Sequence, residues 1–299
     1  MQNNRKKGLT ALVFLTPGLL GMLFFGFVPI IYSLIISLTS WRGLSKFRLN
    51  ADNFIGLKNY VDIFKDSEIW RVLSHNAYFI VLYLPLMIIF SLLCAGIIAS
   101  NKRRTGIYRV LYYIPVLTSW VAGALIWKWV LSPEYGPINN ILKIIGIKGP
   151  LWLQSETWAM PSIVIASIWK DMGFYAMIFL GGLLGISSEY YEAAQIDGAS
   201  KVKQFFKITL PLLSPITFYV VKLALINAFQ LFPQIMVMTT NGDAGPNGAT
   251  QVMVERIYKY AFKLGKMGYA AAYSWILFVI IFSLTAVQNF MQKWWVHYE

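Results

Sequence analysis

Long uncharged apolar runs alternate with short, basic segments along the whole chain. A bilayer core of about 30 Å is crossed by roughly 20 apolar helical residues, so such runs read directly as candidate spans. Six are present: residues 9–41, a stretch within 72–101, a stretch within 110–131, residues 158–186 with Lys170 and Asp171 in the first half, about 210–238 with Lys222 inside, and 267 to about 292. All are expected to be helices, because a lipid-exposed strand edge would leave backbone groups unpaired. The expected fold is all-α and integral to the membrane, with six transmembrane helices. The first run is too long for a signal-peptide core and lacks a small-residue cleavage site before polar sequence, so it is expected to stay in the mature chain. Pro17, Pro29, Pro85, Pro115 and Pro215 fall in or near the spans, where proline removes a hydrogen bond and bends a helix. They read equally as hinges and as ordinary kinks.

Composition agrees with the pattern. Of 299 residues 57% are hydrophobic and 13% charged, and the mean hydropathy is +0.57, where a soluble globule carries roughly a quarter charged residues. A single cysteine, Cys94, excludes an internal disulfide and every cysteine-based metal pattern, and two distant histidines make a poor metal site. The net charge of +13 is scattered between apolar runs rather than gathered on one face, which points to anionic lipid headgroups and not to nucleic acid.

Counting basic residues on the two sides of the membrane gives nearly equal totals. Their density is more informative: Lys102, Arg103, Arg104 and Arg109 crowd a very short connection and Arg5, Lys6 and Lys7 abut the first span, which places both termini in the cytoplasm. Residues 1–8 and 293–299 are then cytoplasmic ends of a domain spanning 9–292, with an outer segment at about 42–71 that is expected to form short surface helices. Trp41, Trp70, Trp127, Trp129, Trp152, Trp158, Trp294 and Trp295 sit near span ends, as aromatic belts require.

Signatures of catalysis are missing. No GxxxxGK[ST] phosphate loop is present, and the glycine-rich residues 242–250 carry no lysine, so the chain is expected to bind no ATP of its own. Neither GxSxG nor HExxH occurs, which disfavours a membrane hydrolase and leaves a chain expected to perform no catalysis.

Two segments stand out. Residues 187–211, joining spans four and five, are far more polar than their neighbours. Glu189 and Glu192 precede Ala193 and Ala194, Gly198 breaks the helix, and Lys201, Lys203 and Lys207 then alternate with Val202, Phe205 and Phe206. This describes a short helix, a glycine turn and a second amphipathic helix on the membrane surface, either a docking knob or a plain interfacial loop. In span five, Asn227, Gln230 and Gln234 recur at spacings of three and four, so on a continuous helix they share one face. Carboxamides both donate and accept, which suits sugar hydroxyls; the same groups also glue helices together. Lys222 and Asp171 each cost about 2.5–3.5 kcal/mol if placed centrally. They read as a pair, as partners of another subunit, or, for Lys222, as an attractor of anionic ligand or a snorkelling surface lysine. Phe174, Tyr112, Tyr113 and Trp120 are candidate stacking surfaces. Gly181, Gly182 and Gly185 mark close helix contact, within the bundle or against a second subunit.

Residues 192–211 match the pattern EAA-x3-G-x9-I-x-LP, with Glu192, Ala193, Ala194, Gly198, Ile208, Leu210 and Pro211 in register. On that motif, and on residues 53–64, 101–117, 229–250 and 259–278, the chain resembles the first permease subunit of carbohydrate ABC importers over residues 9–290. Residues 241–250 depart from the family's shorter turn. The resemblance implies a coupling helix between spans four and five, with Glu192, Ala193, Ala194, Asp197 and Gly198 contacting an ATPase subunit. It implies a substrate path from span four and the middle of span five, at Lys170, Asp171, Phe174, Asn227 and Gln230, with Lys222 nearby. It also implies a bacterial-type cytoplasmic membrane, a second permease, two ATP-binding subunits carrying ATP and Mg, an extracytoplasmic solute-binding protein, and a sugar substrate. An ion-gradient-driven secondary transporter is the rival reading, although no internal repeat is evident. An importer of a non-sugar or anionic solute, such as glycerol-3-phosphate or a uronate-bearing saccharide, is another.

Overall fold

A computed structural model describes residues 2–44, 46–50, 52–100, 105–239 and 244–295. The basic cluster at 101–104 and residues 241–243 of the glycine-rich loop lie outside the described residues. In chain order the α-helices are α1 (Gln2–Met22), α2 (Val28–Ser37), α3 (Lys58–Lys65), α4 (Ser67–Ser100), α5 (Thr105–Leu117), α6 (Trp120–Val130), α7 (Pro137–Ile144), α8 (Ala159–Gly185), α9 (Ser188–Ile196), α10 (Lys201–Gln204), α11 (Leu210–Leu212), α12 (Ser214–Phe229), α13 (Pro233–Met238), α14 (Met253–Tyr258) and α15 (Met267–Trp295). The described residues form no β-strand, only one isolated bridge between Thr39 and Phe54.

Four helical stretches are long and apolar enough to cross a membrane: Leu12–Ser37, Ser67–Ser100, Ala159–Gly185 and Met267–Lys293. Two bent pairs pass the same test together, so the described residues hold up to six crossings, six if each pair is one span. The third and fifth apolar runs are therefore not the straight helices their hydropathy predicts. The third breaks by 96° between α5 and α6. Thr118 turns its amide and hydroxyl back onto the Pro115 carbonyl oxygen, and Ser119, extended at ψ 148, opens α6 by accepting from the Ala122 amide. The fifth bends by 66° between Lys201–Leu212 and Ser214–Phe229, with Pro215 in the first turn of α12, where its missing N–H has no helical partner to lose. It ends again at Phe229, and Pro233 opens α13.

Two compact units emerge, Met1–Ser67 with Arg256–Ile276, and Glu68–Glu255 with Leu277–Glu299. In the first, α1 runs into α2 through a π-turn at Leu23–Phe27. The Val28 amide there reaches back to the Leu23 carbonyl; the extra residue widens the helix just ahead of Pro29. Asn59 of α3 donates to the Ser37 and Thr39 carbonyls at 2.8 and 2.9 Å, satisfying groups freed at the end of α2. Gly268 packs against the Thr39 backbone, and a Cβ there would lie 1.9 Å from its oxygen.

The second unit is built around α8. Its apolar window is 61% buried, against 28% for that of Ser67–Ser100. The buried residues of α4 include Val72, Asn76, Phe79, Tyr83, Met87, Ser91, Ala95 and Ile98, a stripe at spacings of three and four, so one face meets protein and the rest is left for lipid. That stripe packs with Ile163, Ala166, Tyr175 and Phe179 of α8 and Val220 and Ala224 of α12. At Gly173 a Cβ would lie 2.0 Å from the Tyr112 carbonyl oxygen, so α8 meets α5 backbone to backbone. Gly182 admits Leu213 and Ile216, whereas Gly181 and Gly185 face open space. Of these three glycines, Gly182 makes the close contact inside the bundle among the described residues.

Candidate functional site

Polar groups at membrane depth converge on one cavity of about 320 Å³, near the lower end of ligand-pocket sizes. Phe79 and Tyr83 of α4, Trp120 of α6, Ser167 and Asp171 of α8, and Asn227 of α12 line it, together with Gln230, Leu231, Pro233 and Gln234 around the second break of span five. The break matters. Asn227, Gln230 and Gln234 do not share the face of one helix, as their spacing predicts, because α12 stops at Phe229, Gln230 caps it, and Gln234 belongs to α13. They line the same cavity all the same, since the chain turns around it.

A hydrogen-bonded chain holds the polar wall in place. The Tyr83 hydroxyl donates to Asp171 Oδ2 at 2.8 Å, and Asn227 Nδ2 donates to the Tyr175 hydroxyl at 3.0 Å. The Tyr83 and Tyr175 hydroxyls are adjacent. Tyr83 and Tyr175 were not singled out by sequence, where an aromatic at depth reads as packing. Tyr83 also stacks on Phe79, with ring centroids 5.1 Å apart.

The remaining predicted path residues do not line this cavity. Lys170 is 6% exposed; its Nζ donates to the Pro115 and Val116 carbonyl oxygens at 3.1 and 2.9 Å and lies 5.5 Å from the Trp120 ring centre. It satisfies carbonyls released where α5 ends. Lys222 lies over the Phe218 ring at 4.9 Å and forms no pair with Asp171 in the described geometry. Phe174 packs edge-on against Tyr175. Of the candidate stacking aromatics, Trp120 lines the cavity.

The second site is the elbow between α8 and α12. Ser187 caps α9 by accepting from the Glu189 amide. At the other end Gly198 takes φ +72, its amide bonds the Gln195 carbonyl, and the Ala199 amide bonds the Ala194 carbonyl. This is a Schellman turn, which favours glycine at the left-handed position. Ser200 then caps α10, and the Tyr191 and Thr209 hydroxyls lie 3.0 Å apart. No residue of α9 is buried, and Ile196 is 88% exposed. Glu192, Ala193, Ala194, Asp197 and Gly198 thus lie together on a folded projection.

A family profile described as "Binding-protein-dependent transport system inner membrane component" matches residues 70–297. The chain belongs to this family. It is 35% identical over 298 residues to the probable ABC transporter permease protein YesP of Bacillus subtilis, covering 99% of this chain and 94% of that one. It is 31% identical over 284 residues to the lactose transport system permease protein LacF of Rhizobium radiobacter, covering 94% and 91%. Among solved structures, a bacterial alginate ABC transporter, crystallised with its alginate pentasaccharide-bound periplasmic protein, has the same fold with a TM-score of 0.83 at 22% identity, covering 98% and 97%. The permease is thus a multi-pass inner-membrane component of a binding-protein-dependent transport system. Its elbow contains the motif by which the sequence first resembled the family, and its cavity sits where the two broken spans meet α4 and α8.

Proposed function

We propose that this permease is one of two membrane subunits of an ATP-driven saccharide importer, and that it couples ATPase closure to alternating access through the α9–Gly198–α10 elbow. The observation that carries the reading is the elbow itself, a capped, exposed projection bearing the motif residues in a member of this family. A relative named for lactose, a fold neighbour named for alginate and a cavity walled mainly by uncharged hydrogen-bonding groups support a saccharide as cargo. Glu192, Ala193, Ala194, Asp197 and Gly198 meet a cleft of an ATP-binding subunit; the small alanines allow close approach. Two such subunits hold ATP and Mg, an extracytoplasmic binding protein delivers the sugar, and this chain performs no catalysis. Both termini are cytoplasmic.

When the ATPases close, the cleft shifts the elbow, and the elbow moves α8 and α12 as a unit because Tyr191 and Thr209 tie its two sides together. Asp171, Asn227 and Gln230 face the passing sugar, while Lys170 holds the wall that carries Trp120. Phe174 and Lys222 act from outside the cavity. Nucleotide and cargo bias the same two-state element. Reconstituting the permease with its second membrane subunit, two ATPases and receptor in proteoliposomes tests this: sugar-loaded receptor is expected to stimulate ATP hydrolysis and uptake. Uptake by this chain alone, driven by an ion gradient, overturns it.

A further inference from the structure

We infer that the cavity selects hydroxyl-rich saccharides free of acidic groups, through a wall of hydrogen-bond acceptors formed by Asp171, Ser167 and Gln234; this rests on the reading of the cavity as a saccharide path. Its lining holds one carboxylate and no lysine or arginine. The two lysines of the neighbouring spans are engaged elsewhere, Lys170 with the Pro115 and Val116 carbonyls and Lys222 over the Phe218 ring. A carboxylate or phosphate entering here would meet the Asp171 carboxylate directly, while the nearest cation, Lys170, stands outside the lining with its donors spent on the Pro115 and Val116 carbonyls.

Hydrogen bonding points the same way. Ser167 is 1% exposed and Gln234 7%, and Ser167 Oγ and Gln234 Oε1 are enclosed with no hydrogen-bond partner among the described residues. Unpaired buried polar atoms are rare and costly, and an apolar side chain of similar size would fill the space at less cost. Both atoms are closed off in this state, and a shift of the helices around the cavity would open them to a ligand. The carboxamide oxygen accepts and the serine hydroxyl does either, while Asp171 keeps acceptor capacity beyond its bond from Tyr83. Sugar hydroxyls both donate to these acceptors and accept from the Ser167 hydroxyl and the Gln234 amide, whereas ionised acidic groups bring acceptors alone. The alginate importer carries an acidic polysaccharide on the same fold, so charge selection belongs to the lining and not to the architecture.

Saturation-transfer NMR on the assembled importer without its receptor tests the wall directly. The probes are galactotriose and trigalacturonate of the same linkage, which differ in the group at C6. The intact importer is expected to saturate galactotriose and leave trigalacturonate untouched. Ser167→Ala and Gln234→Leu are each expected to weaken galactotriose binding by roughly five- to tenfold, the worth of one hydrogen bond, and Asp171→Asn to admit trigalacturonate. Equal binding of the two probes by the intact importer overturns the selection while leaving the saccharide path in place, and needs no variant. Unchanged galactotriose binding in both the Ser167 and Gln234 variants overturns the acceptor wall. Binding of neither probe by the intact importer overturns the saccharide path and the inference with it.

Discussion

Lys170 and Val116 are bound to one another across the break in the third span, Nζ to carbonyl oxygen at 2.9 Å. Two successive carbonyls at the end of α5 take the same ammonium from α8, that of Pro115 in addition to the Thr118 amide and hydroxyl. Lys170→Met keeps the side chain's length and removes its donors. It is expected to destabilise the subunit by about 1.5–3 kcal/mol, the range for hydrogen bonds made by charged groups. A lowered midpoint in thermal unfolding of the assembled importer in detergent reads this, and an unchanged midpoint would show that water or lipid serves those carbonyls equally well.

Gly173 and Gly181 lie on the same helix and are expected to respond oppositely to one added methyl. At Gly173 the new Cβ would sit 2.0 Å from the Tyr112 oxygen, so Gly173→Ala must separate α8 from α5, at a cost of about 1–3 kcal/mol for overpacking. At Gly181 nothing lies within 4 Å, and Gly181→Ala should leave the subunit's own stability within about 0.5 kcal/mol. Expression level and unfolding midpoint of the two variants, compared side by side, check the contrast.

Gly198 stands at φ +72 in the Schellman turn that ends α9. A side chain in the left-handed region costs roughly 1–2 kcal/mol, too little to prevent insertion but enough to distort a projection that must fit a cleft. Gly198→Asp is expected to accumulate in the membrane at normal levels with receptor-stimulated uptake lost. Normal transport by that variant would remove the elbow from the coupling path.

Tyr83→Phe removes the donor to Asp171 while keeping the ring stacked on Phe79. Leaving a half-buried carboxylate short of a partner costs about 1–3 kcal/mol, and the freed side chain has the cavity to move into. A fall in uptake at unchanged receptor affinity is the expected result.

Asn76 Oδ1 accepts from the Met253 amide at 3.0 Å, beside a contact of 3.1 Å between His75 Nδ1 and the Gln251 carbonyl. Asn76→Leu strands a buried amide. Hydrogen exchange at Met253 is expected to quicken at least about fivefold, from the loss of roughly 1 kcal/mol of protection.

Local chemistry was legible in the sequence and distant closure was not. The elbow could be read because everything that makes it lies within residues 187–211: serine caps, a glycine turn, alternating charge. The spans were legible from hydropathy alone. Their breaks were not, since residues 110–131 and 210–238 are apolar enough throughout to read as one span each and hydropathy is blind to direction. Pro233, which restarts the chain after Gln230, was the signal that the carboxamide stripe could not lie on one helix. Tyr83 and Tyr175 escaped notice because a tyrosine at depth is ordinary until its hydroxyl is seen against Asp171 and Asn227. Lys222 attracted attention for the cost of its charge, which an aromatic face at 4.9 Å already helps to offset.

The opening transmembrane segment, Leu12–Ser37, has only 6% of its apolar window covered by the rest of the polypeptide. A segment so little covered is held by hydrocarbon rather than by side-chain packing, so exchanges among its leucines and phenylalanines that preserve hydropathy should leave it in place, whereas the same exchanges on the enclosed α8 would open cavities.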